Sequence, residues 1–147
     1  MRVPRPKPAF IVHDLASALA VFAAAEATGR PLRVESPPGF AGYAGAGFWA
    51  ALLAEAAARH PGAGIDAVLD CGREAGTALA AIRAGVPAIR CAARAAARVR
   101  LKSLARAAGV KFIEGRRPKA RDLLAAADPA RAVADELARK PLPSGVH

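Results

Sequence analysis

Along this chain, short aliphatic runs alternate with longer stretches of helical spacing, and glycine or proline stands at most of the boundaries. Ala9 to His13 reads as a strand, and Leu15 to Thr28 as a helix closed by Gly29. Pro31 to Glu35 is a second strand, followed by the glycine-rich Pro37 to Gly45 and a helix over Ala46 to Arg59. Ile65 to Asp70 is the clearest strand, a β-branched and aliphatic run between Pro61-Gly62 and Gly72. A helix from about Glu74 to Arg83, a strand over Pro87 to Cys91, a helix over Arg94 to Ala108 and a strand over Val110 to Glu114 complete the alternation. Pro118 to Ala126 reads as helical, and Asp128-Pro129, an N-cap and first-turn proline, restarts a last helix to about Lys140.

Strands alternating with helices imply parallel pairing through right-handed crossovers. The expected fold is therefore α/β: a five-stranded parallel sheet with alternating helices, either a partial (β/α) barrel or a flavodoxin-like open sheet. The length of 147 residues fits one domain. Its parts are a basic, proline-rich arm over 1–8, the βα units over 9–115 and C-terminal helices over 116–147. Aromatics are scarce and alanine abundant, so the core is built from small and aliphatic side chains. Two cysteines without framework spacing argue against a disulfide-stapled secreted domain. His13 and Asp14 interrupt the first apolar stretch, which reads better as strand, turn and helix than as a signal peptide. The expected location is cytoplasmic, and no apolar run reaches the roughly 18 residues that span a bilayer.

The strand ends carry the candidate chemistry, because ligands gather at the carboxyl ends of parallel strands. They read His13-Asp14, Glu35-Ser36, Asp70-Cys71, Arg90-Cys91 and Glu114-Gly115. Polar residues are expected wherever strands meet water. His13, Asp70, Cys71 and Cys91 add side chains able to move protons or ligate zinc. The bland alternatives are a small buried hydrophobe for each cysteine and a cap on the next helix for Asp70.

These residues resemble a family, the class II fructose-bisphosphate aldolases and their tagatose-bisphosphate relatives. Ala9-Phe10-Ile11-Val12-His13-Asp14-Leu15 is similar to the family's first strand, and Gly39 with Tyr43-Ala44-Gly45 to its second loop. Leu69-Asp70-Cys71-Gly72 resembles the Leu-Asp-His-Gly that ends the family's third strand. Ala81-Ile82-Arg83-Ala84-Gly85 and Ala108-Gly109-Val110 resemble the entries to its fourth and fifth strands. The likeness spans about residues 8 to 115, and the order of these short motifs is more specific than any one of them. It implies a zinc-dependent (β/α)₈-barrel ancestry, with Asp70 at the position of the catalytic aspartate and Cys71 where the family has a zinc-binding histidine. His13 and Cys91 are the other ligand candidates that the strand ends offer.

The sequence departs from the pattern at several site positions. Ile11 replaces an asparagine, Ala92-Ala93-Arg94 replaces Asp-Gly-Ser, and the family's other zinc histidines and phosphate loops lie outside the matched stretch. The resemblance thus implies a truncated aldolase-like chain, catalytically inactive, without a cofactor, acting by binding or by assembly as a dimer. One alternative is a zinc-dependent aldol lyase on a phosphorylated sugar, its site completed across the dimer.

Charge supplies another alternative. Of the net charge of +10, the first 82 residues contribute nothing, residues 83–121 carry twelve Lys/Arg against Glu114 alone, and the remainder is slightly acidic. Arg94, Arg98, Lys102 and Arg106 recur every four residues along one side of a helix, and Arg116 and Arg117 follow the fifth strand. Such a region suits a phosphate-bearing ligand or nucleic acid. It is equally what a solvated helix face looks like in an arginine-rich protein. No aromatic lies between Arg83 and Lys111 to stack on bases, which argues against nucleic acid.

Overall fold

The structure, a computed structural model, describes residues 6–139. The rest of the proline-rich arm and the end of the last expected helix at Lys140 lie outside the described residues. The elements are β1 (Ala9–Ile11), α1 (Leu15–Thr28), β2 (Leu32–Glu35), α2 (Phe40–Tyr43), α3 (Ala46–Arg59), β3 (Ile65–Asp70), α4 (Ala75–Arg83), β4 (Ala88–Arg90), α5 (Ala95–Ala108), β5 (Lys111–Phe112), β6 (Arg121–Asp122) and α6 (Pro129–Ala138).

The sheet has six strands rather than five, all parallel, in the order β5-β4-β3-β2-β1-β6. β1 to β5 follow one another in sequence, as in a barrel wall, and β6 joins on the far side of β1. The helices follow the strands in a single row: α6 packs on α1, α1 on α3, α3 on α4 and α4 on α5. The sheet is open, with β5 and β6 as its edges.

The expected helix over Pro118–Ala126 is absent. Residues 113–120 run back across the carboxyl ends of the strands, and Arg121–Asp122 pairs with Phe10–Ile11. Pairing with the free edge of β1 wins over helical propensity there. Beside β1, the Leu123 N–H donates to the Ile11 carbonyl at 3.1 Å while its side chain enters the core, 2% exposed. β6 thereby satisfies backbone that β1 would otherwise leave bare. After it, Asp128 caps α6 through the Arg131 N–H, with Pro129 in the first turn as expected.

Strand alternation assigns the two faces. Phe10 and Val12, Leu32 and Val34, Ala67, Leu69 and Cys71, and Ile89 and Cys91 join one core with the buried faces of the helices. The opposite face carries His13, Arg33, Glu35, Asp66, Asp70 and Arg90. No helix among the described residues is long and apolar enough to cross a membrane.

Asp14 starts α1 by accepting from the Ser17 N–H at 2.8 Å and from the Ser17 hydroxyl at 2.8 Å, while Ser17 Oγ accepts in return from the Asp14 N–H. The backbone bond from Ser17, then its hydroxyl, hold the Asp14 carboxyl below the usual carboxylate range, outweighing partial burial. A depressed folded-state value means the cap is fully in force above the ordinary carboxylate range. It is lost as pH falls through the lowered value. Asp14→Ala should cost about 0.5–2 kcal/mol in urea unfolding at neutral pH. The deficit should shrink on acidification below the carboxylate range, and a deficit unchanged there would contradict this role.

Candidate functional site

The strand ends on the inner face are tied together by charge. Glu35, fully buried at the end of β2, accepts from Arg33 Nε at 2.8 Å and from both terminal nitrogens of Arg90, which ends β4. A carboxylate without water needs such compensation, since leaving a buried charge unpaired costs several kcal/mol. Ser36, also fully buried, accepts from the Asp70 N–H at 2.8 Å and donates to the Pro37 carbonyl at 3.1 Å.

Asp70 is the junction of the site. One carboxylate oxygen accepts from the N–H groups of Gly39 at 2.9 Å and Gly72 at 2.8 Å. The other accepts from Arg117 Nη1 at 2.7 Å, and Arg117 Nη2 donates to the Ser36 carbonyl at 2.6 Å. The two glycines that stand out in the Gly-x-x-x-Tyr-Ala-Gly and Leu-Asp-Cys-Gly stretches therefore meet on one carboxylate. Both need the left-handed backbone, at φ 67° and 62°, and a Cβ on Gly72 would lie 3.8 Å from Gly39 Cα. Asp70 does not cap α4, whose cap position is Glu74.

The metal candidates separate. Cys71 directly follows Asp70, the last residue of β3, and its N–H continues the ladder to the Arg90 carbonyl, so the two side chains face opposite sides of the sheet. Cys71 is 2% exposed in the helix-side core, and burial, with Cys91 and Asp70 adding, pushes its thiol up to about 12. Cys91 shares that core, and burial raises its thiol too. His13 lies on the other face, its Nε2 2.7 Å from Asp122 Oδ1. Burial works against the Asp122 carboxylate, but the Leu124 N–H and His13 outweigh it and hold its pKa below the usual range. No three His, Cys, Asp or Glu side chains among the described residues stand where they could hold one metal ion. Zinc, which the aldolase resemblance implies, does not fit this ligand set, because its proposed sulfurs lie behind the sheet.

The basic stripe on α5 is not one surface. Arg94 is the exposed cap residue, Arg98 is half-buried, Lys102 pairs with Glu114 with its ammonium 6.0 Å from the Phe112 ring centre, and Arg106 is exposed. Arg116 is exposed, whereas Arg117 is spent on Asp70. Arg33 and Asp122 are site residues outside the strand-end pattern, and Arg90, which belongs to it, pairs with the buried Glu35. For the cysteines the missed signal was parity: an acid and a thiol at successive strand positions cannot share a face.

Among solved structures, the chain is similar to a protein from Coccidioides immitis assigned as a fructose-1,6-biphosphate aldolase. The match has 22% identity and a TM-score of 0.56, and it covers 72% of this chain and 44% of that one. The fold is aldolase-like. At that identity the likeness speaks for fold alone, and the aligned part is less than half of the aldolase chain. No family model and no curated protein matches the sequence.

With both sulfurs in the core, neither thiol should react in the folded state. Native protein at about pH 8 should leave Cys71 and Cys91 unmodified by a thiol reagent, and denaturant should release two reactive thiols. Rapid native labelling of Cys71 would contradict its placement behind the sheet.

Proposed function

We propose that this aldolase-like chain is a binding protein rather than a catalyst. The observation that carries the reading is the state of the Asp70 carboxylate, which accepts from Gly39, Gly72 and Arg117. A general acid or base must reach a substrate proton within about 2.6–3.2 Å. This one already accepts three hydrogen bonds from groups that hold the fold together. The residue beside it, Cys71, is a protonated core side chain instead of a metal ligand at the rim.

Binding is favoured over assembly through the sheet edges. Both edge strands are two residues long, and short edges are one way proteins blunt edge-to-edge pairing. Purified protein should not cleave fructose 1,6-bisphosphate above the uncatalysed rate, with or without added zinc, in a coupled assay for triose phosphate. Zinc-dependent cleavage that disappears in Asp70→Asn would overturn the proposal in favour of a metal-dependent lyase completed by a second copy.

A further inference from the structure

Arg117 fills a cradle that it does not build. Its two terminal nitrogens meet two acceptors at the carboxyl ends of the neighbouring strands β2 and β3, Asp70 Oδ2 at 2.7 Å and the Ser36 carbonyl at 2.6 Å. Both acceptors are positioned by other groups. The Gly39 and Gly72 N–H groups hold the second Asp70 oxygen, and the Asp70 N–H donates to Ser36 Oγ. The Ser36 N–H donates in turn to the Val68 carbonyl at 3.0 Å. Ser36 is fully buried and Asp70 is 7% exposed, so both acceptors are costly to leave without a donor.

The segment that supplies the present donor is lightly held. None of residues 114–120 is buried, and their backbone makes no hydrogen bond to other backbone among the described residues. Arg117 is the tie in the middle of this segment, with the Lys102–Glu114 pair at one end and β6 at the other. Segments with few buried contacts open locally at a free energy well below that of global unfolding. Opening here carries Arg116, Arg117 and Lys119 off the rim together, and it leaves the two acceptors fixed by the strand ends and the glycine turns.

We infer that the Asp70–Ser36 cradle is a binding site for a guanidinium group, filled by Arg117 in the closed state and by the guanidinium of a ligand when residues 114–120 lift. Two acceptors set for the two prongs of one planar fork suit that group. An ammonium is a point charge without the fork geometry. The inference rests on the binding reading above and gives that reading a ligand class.

Arg117→Ala in the full chain empties the cradle, and calorimetric titration of this variant with methylguanidinium tests the assignment. One site should appear, and Asp70→Asn in the same background should weaken it about tenfold, as expected for loss of one charge-assisted contact. Methylammonium should bind more weakly than methylguanidinium, and thermal unfolding without ligand checks that each variant folds. A Gly-Arg-Gly peptide separates the sources: tighter binding than methylguanidinium identifies a partner's arginine, equal binding a free guanidinium compound, and the site stands in either case. Should Arg117→Ala not fold, the parent decides, because methylguanidinium should shift the Arg117 Nε–H signal in NMR spectra as it takes the cradle. No binding to a folded Arg117→Ala variant, binding unchanged by Asp70→Asn, equal affinity for methylammonium, or an unmoved Arg117 signal in the parent would each overturn the proposal. Bisphosphate cleavage by the parent would count against the binding reading alone and leave the guanidinium result to stand or fall separately.

Discussion

Three segments of this protein converge on one carboxylate, and a fourth is tied to it through an arginine. Asp70 ends the central strand β3 and accepts from the loop after β2, from the turn that follows its own strand, and from an arginine on the segment returning toward β1. Arg117 in turn reaches the Ser36 carbonyl, so the fourth segment, the end of β2, is tied to the same point. Charge-assisted hydrogen bonds at a partly shielded site are the strong kind. The open sheet has no barrel closure to fix its rim, and this junction supplies a substitute.

The inner face of this open sheet is lined with ionisable residues, and most of them find partners on the same face. Glu35 sits between Arg33 and Arg90, Asp70 pairs with Arg117, and His13 Nε2 hydrogen-bonds Asp122. The returning segment lies over the rim, and β6 extends the sheet beyond β1. The same device commits the strand-end acid Asp70 to three donors of the fold.

Much of the architecture was legible in the sequence. β1 to β4 and their helices follow aliphatic runs and glycine stops, such as Gly29 after α1 and Gly109 after α5, and the Asp128-Pro129 start of α6 was equally plain. β6 was not, because Arg121-Asp122 has no strand pattern of its own and pairs only because β1 offers a bare edge. Asp70 was recognisable as a strand-end acid, yet its partner lies 47 positions away in a run of arginines that looked uniformly suited to anions. Nothing in linear order marks Arg117 as the one that turns inward, apart from the proline that follows it. For the thiols, of the two readings left open, the structure has the small buried hydrophobe, and strand alternation is why: an acid and a thiol at successive positions face opposite sides.

The central claim is that Asp70 is a structural junction. A double-mutant cycle over Asp70→Asn, Arg117→Gln and the combined variant, measured by urea unfolding at neutral pH, tests it most directly. The account predicts that each single change destabilises the fold and that the pair is non-additive, with a coupling energy of about 0.5–3 kcal/mol. Additivity within about 0.3–0.5 kcal/mol would contradict it and return Asp70 to the substrate-facing role its position first suggested.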